Sequence, residues 1–159
     1  MNGKSSDDHI STAFDNDLRQ IENLMVTMGG LVEEQIEQAA QVIVTRDLEK
    51  AAALIASDKR DDEIEEEIDQ LVVRIIALRQ PAAQDLRAVM AALKLASDLE
   101  RIGDYTKNLA KRTQVLAQVA PVGNTAKSVK RMCMMVRQMV KDVLDAYLSR
   151  DLASADEVR

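Results

Sequence analysis

The chain has 159 residues, 47% of them hydrophobic and 30% charged but only 2% aromatic, with 5 Gly and 2 Pro. So few turn formers leave no material for the many turns of a β-sandwich or barrel, and the supply of Ala, Leu, Ile, Met and Glu predicts long helices. A net charge of −6 argues against general nucleic-acid binding through a basic surface, and no apolar run approaches the ~18 residues of a membrane span.

Residues 1–12 are polar, carry the only histidine, His9, and lack the apolar segment of a secretory signal. They read as a disordered, solvated tail. The single cysteine, Cys133, precludes an intramolecular disulfide and reads as a thiol in a core. A cytoplasmic location is expected.

From 13 to 46 the apolar residues Leu18, Ile21, Met25, Met28, Val32, Ile36, Ala39 and Ile43 recur at spacings of three and four, one stripe of one helix. Gly29 and Gly30 interrupt it and suggest close helix packing or a slight bend. Asp47 reads as the N-cap of a second helix, with Thr45 as a rival. That helix runs to Leu78 with the stripe Ile64, Ile68, Leu71, Ile75 and Leu78. Pro81 ends the connection and suits the first turn of a third helix, where Asp85 complements the dipole. The third helix reaches Gln118 with the stripe Leu95, Leu99, Ile102, Leu109 and Leu116. The break at 120–124 precedes a fourth helix, with Val129, Met132, Val136, Met139, Val143 and Tyr147 on one face.

The fourth helix repeats the first. Thr45-Arg46-Asp47-Leu48 recurs as Ser149-Arg150-Asp151-Leu152, 104 residues later. The same offset pairs Val32 with Val136, Ile36 with Val140, Ala39 with Val143 and Val44 with Leu148. The expected architecture is all-α: an antiparallel three-helix bundle over 13–119 and the start of a second, similar bundle over 124–159. An incomplete second bundle means either that the chain is a piece of a longer protein or that another chain supplies the missing helices; the fourth helix could also fold back on Leu86, Met90 and Leu93 of the third. A two-fold homodimer is the expected solution.

Residues 58–69 contain eight acids and two bases. At 100° per residue, Asp58, Asp62, Glu65 and Asp69 share a face beside the apolar stripe rather than within it. On the third helix Glu100 and Asp104 form a second outward pair. All-oxygen donors suit hard cations. The bland alternative is solvated charge, with Asp98 paired to Arg101 and Asp104 to Lys107 at a spacing of three. A buried di-iron carboxylate site is disfavoured, since the chain lacks the Glu-x-x-His pairs that build one. There is no glycine-rich phosphate loop, nucleophile elbow or histidine-based nucleophile pair, so no catalytic residue is assigned and no enzyme activity is expected. The residues alone leave open an adaptor, a metal-carboxylate store or enzyme, and a purely structural helical scaffold.

Gln80-Pro81, Asp85-Leu86-Arg87 and above all Asp98-Leu99-Glu100-Arg101-Ile102-Gly103-Asp104, followed by Asn108, resemble the signature of the PhoU family of phosphate-transport regulators. Met28-Gly29-Gly30-Leu31-Val32-Glu33 and the Asp47 turn are similar to that family too, and the resemblance runs from 13 to 159. It implies two similar three-helix bundles with metal ions held on their surfaces by Asp/Glu-x-x-x-Asp motifs, matched here by Asp58/Asp62 and Glu100/Asp104, with Glu65 and Asp69 as further candidates. Iron, zinc, manganese and magnesium are the metals to consider. Tyr105 stands where the family often has histidine. The resemblance further implies a non-catalytic adaptor between a phosphate ABC transporter ATPase and a sensor histidine kinase. Such an adaptor keeps the phosphate-starvation response off and meets the membrane only through those complexes.

Overall fold

The computed structural model describes residues 4–57 and 59–158, with the side chains of 4–12 left aside. Six helices follow one another: α1 Lys4–Thr45, α2 Leu48–Ser57, α3 Lys59–Arg79, α4 Ala83–Leu116, α5 Thr125–Ser149 and α6 Leu152–Glu157. Among the described residues there is no strand, and no helix is long and apolar enough to cross a membrane.

α1 is the hub. Ile21, Met25, Met28, Val32, Ile36 and Ala39 are all buried, as their spacing predicts. α3 answers with Ile64, Ile68, Leu71, Val72 and Ile75, and α4 with Val89, Ala92, Ala96 and Leu99. In α4 the buried series 89, 92, 96, 99, 103, 106, 110, 113 alternates steps of three and four, a heptad seam built largely from small side chains. Thr106 and Thr113 fit there because their hydroxyls donate to carbonyls of their own helix, Gly103 O at 2.7 Å and Leu109 O at 3.0 Å.

Several expectations are corrected. α1 is described from Lys4, within the stretch expected as a tail, while 1–3 lie outside the described residues. No Gly or Pro interrupts 4–28, and propagation adds one hydrogen bond per residue once the packed portion nucleates. The stretch expected as one helix from 47 to 78 is described as α2 and α3, with Asp58 between them outside the described residues. Pro81 precedes α4 instead of opening it, and the turn is made by Gln80 at φ 48. Leu78 and Leu116 are exposed. The fourth helix of the sequence reading, α5, does not fold back on α4. It packs along α1, placing Val140 and Leu144 in the same core cluster as Met25 and Met28. The 119/124 boundary therefore separates chain segments but not cores. Gly29 makes this approach possible: a Cβ there would lie 2.2 Å from Leu144 Cδ1. Gly30 faces open space.

α1 is held by charge at Asp17 and by turn chemistry at its C-terminal end. Asp17, nearly buried, accepts from Arg74 Nη2 at 3.0 Å and Arg79 Nε at 3.1 Å, tying α1 to α3. At the other end Arg46 adopts φ 59, and the N–H groups of Glu49 and Lys50 donate to Asp47 Oδ1 at 3.1 Å. Asp47 is thus the cap, and Thr45 instead donates to Gln41 O.

Candidate functional site

The block Asp98–Asp104 lies in the middle of α4, and its residues divide by face. Leu99 and Gly103 point into the bundle. Asp98 and Arg101 are exposed and pair at 3.7 Å. Glu100 and Asp104, one turn apart, are half-buried beside the core, and Lys107 Nζ reaches Asp104 Oδ1 at 3.2 Å. Both spacing-of-three ion pairs expected from the sequence are present.

A residue larger than glycine would crowd its neighbours at Gly103. A Cβ would sit 2.9 Å from Asp61 Oδ2 and 3.2 Å from Gln35 Oε1. Gln35 of α1 and Asp61 of α3 are both buried, and Gln35 Nε2 donates to Asp61 Oδ2. These three residues form one polar layer across α1, α3 and α4, with apolar layers on both sides. Pairing between buried polar groups penalises any axial slip, so the layer fixes helix register at some cost in stability. The sequence reading missed Asp61 because it treated the whole run 58–69 as outward acids. The signal was present: 61, 64, 68, 71, 75 is a seam of threes and fours that begins at Asp61.

Of the metal candidates, Asp62 and Asp69 are exposed on α3 and Glu65 is half-buried. Asp58 lies outside the described residues. Among the described residues no three Asp, Glu, His or Cys side chains gather around one point. What the structure supplies is carboxylate pairs on adjacent helices, with oxygen donors only. Cys133 packs against the core, and burial pushes its thiol above the ordinary value, the opposite of an activated nucleophile.

Comparison with known proteins places these features. The PhoU domain family matches residues 25–113. A phosphate-specific transport system accessory protein PhoU homolog of Caulobacter vibrioides is 39% identical over 148 residues, covering 93% of this chain and 64% of its own. The phosphate-specific transport system accessory protein PhoU of Serratia marcescens is 40% identical, over 92% of this chain and 60% of its own. The chain therefore spans less than two thirds of these relatives' length. The crystal structure of PhoU from Pseudomonas aeruginosa superposes with a TM-score of 0.86 at 33% identity, over 91% of this chain and 69% of that one.

Proposed function

The chain belongs to the PhoU family, and from that premise we propose that it is an accessory regulator of a phosphate-specific transport system. It acts by binding and not by catalysis. In this reading it works in the cytoplasm, contacts the transporter's ATPase and a sensor histidine kinase, and holds the phosphate-starvation response down when phosphate is plentiful. The observation that carries the reading is the match over residues 25–113, with relatives named as accessory proteins of phosphate transport. Deleting the gene is expected to raise starvation-gene expression in high phosphate and alter phosphate uptake. Unchanged expression and uptake would overturn the proposal.

A metal role is the finer part. Glu100 and Asp104, with Asp58, Asp62, Glu65 and Asp69 as the facing set, would hold a hard cation through carboxylate oxygens. The donor chemistry and the four-residue spacing on α4 support this. The described side chains provide pairs rather than a complete shell, and Lys107 would have to release Asp104. Elemental analysis of protein purified without chelator should find metal in the wild type and less in Glu100→Gln/Asp104→Asn. Equal metal content in both would remove these residues from the site.

A further inference from the structure

Gly103 of α4 lies against Asp61 of α3, which fixes the register of this antiparallel pair. Asp62 then falls at the level of Glu100, Val73 at that of Met90 and Ile76 at that of Leu86. On each helix a second ridge at steps of three and four runs beside the buried seam. On α3 it reads Asp62, Glu65, Asp69, Val73, Ile76. On α4, taken in the opposite chain direction, it reads Asp104, Glu100, Ser97, Leu93, Met90, Leu86. Both ridges change from acid to apolar along the same direction, so side by side they make one face, acidic toward the start of α3 and apolar toward the Gln80-Pro81 turn. Val73, Ile76, Leu86 and Met90 are 58%, 37%, 37% and 46% exposed. Leu86, Met90 and Leu93 are the patch expected to take the fourth helix, but α5 packs on α1. The α4 residues turned toward α6, Ala88, Ala91 and Leu95, lie roughly half a turn around that helix from this ridge. The face is therefore built by α3 and α4 alone.

Charge identifies the chemistry of the occupant. Asp62, Glu65 and Asp69 make no ion pair among the described residues, and over 58–69 eight acids stand against two bases. That end repels an anionic bilayer or a nucleic acid and attracts a cationic segment. Exposed apolar side chains are ordinary when scattered, whereas four gathered at one end of a face mark a contact surface. We infer that the α3–α4 face docks one amphipathic helix of another protein, apolar where it meets Val73, Ile76, Leu86 and Met90 and basic where it lies over Asp62, Glu65 and Asp69. From Ile76 to Asp62 the face is about 21 Å long, the length of about 14 helical residues. A cation held by Glu100 and Asp104 would lower the charge of the acidic end, so the docking needs no metal and is strongest without one.

The test uses a fluorescent synthetic helical peptide of about 18 residues, with Leu at helical spacing in one half and Lys in the other, and a counterpart with Glu in place of Lys. Measured in chelator, so that the fate of the metal reading does not affect it, anisotropy should show the Lys peptide binding about tenfold or more tightly than the Glu peptide, less so as salt rises. Met90→Asp and Asp69→Lys, both at exposed positions, should each weaken binding of the Lys peptide while circular dichroism stays unchanged. Val122→Asp, at an exposed position in the loop before α5, should leave it as it is. Binding of neither peptide, equal binding of both, wild-type affinity in either face variant, or an equal loss in Val122→Asp would overturn the inference. So would a dimer in light scattering that Met90→Asp dissociates, which would give the face to a second copy, or anionic vesicles that bind the wild type and not Met90→Asp, which would give it to a membrane.

Discussion

α1 and α5 are one helix written twice, and their ends are built alike. Arg46 and Arg150 both take left-handed backbone, φ 59 and φ 54. Thr45 and Ser149 each donate a hydroxyl to the carbonyl four residues back. Asp47 and Asp151 each cap the helix that follows. Their flanks differ. Met28 and Val32 are 0% exposed, whereas Met132 and Val136 are 62% and 42% exposed. The helix after the first corner buries Ala51 and Leu54, and the helix after the second buries nothing. The contrast separates two kinds of information. A corner is settled within about four residues by its own hydroxyl, left-handed residue and cap. Burial of a stripe is settled by whichever helices lie beside it, here α3 and α4 for α1 alone.

The sharpest way to break this comparison is to truncate matched residues. Met28→Ala should cost about 2–4 kcal/mol, because the cavity forms in a closed core. Its counterpart Met132→Ala should stay within about 0.5 kcal/mol. Urea denaturation of both reads the difference directly, and similar losses would mean the α5 face is covered after all. The two close-packed glycines give a smaller contrast. Gly103→Ala pushes a methyl into the Gln35–Asp61 layer and should lose about 1–2 kcal/mol. Gly29→Ala meets the methyl end of buried Leu144, which must shift, but gains helix propensity in return, so its loss should be smaller than that of Gly103→Ala.

The corners themselves should give the smallest effect. Asp47→Ala should lower the unfolding midpoint, since its helix contributes Ala51 and Leu54 to a buried cluster. Asp151→Ala should leave the global transition unchanged. The N–H of Lys50 donates to Asp47, and with the Lys50 charge it holds that carboxyl below the usual range. A depressed folded pKa adds stability above the unfolded value, about 3.9, and loses it as pH falls through the folded one. Wild type and Asp47→Ala should therefore differ at pH 6 and converge at the acid end of a pH series of thermal melts.

How far the sequence could be read depended on side-chain size. The α1 stripe was legible because Ile21, Met25, Met28, Val32 and Ile36 are large and regularly spaced. The α4 core was read only in part, through Leu99, because Ala92, Ala96, Gly103, Thr106, Ala110 and Thr113 carry little hydrophobic signal. The bulkier Leu95, Ile102 and Leu109 lie half-buried at its edge, packed against the core clusters around Leu99 and Ala110. Ion pairs at a spacing of three were legible because one helix fixes them. Asp61 was not, since what buries it is Gln35, 26 positions away on another helix. The neighbour of α5 was misassigned for the same reason: periodicity says which face is apolar, and nothing about which helix meets it.

The placement of α1 at the hub also sets an order of events during synthesis. Its stripe leaves the ribosome before that of α4: Leu99, in the same core cluster as Ile36, follows it by roughly 60 residues. At about 5–20 residues per second that is roughly 3–12 s. For that time the buried face of α1 lacks its α4 partner, and the nascent chain covers it transiently or presents it to a chaperone until α4 arrives.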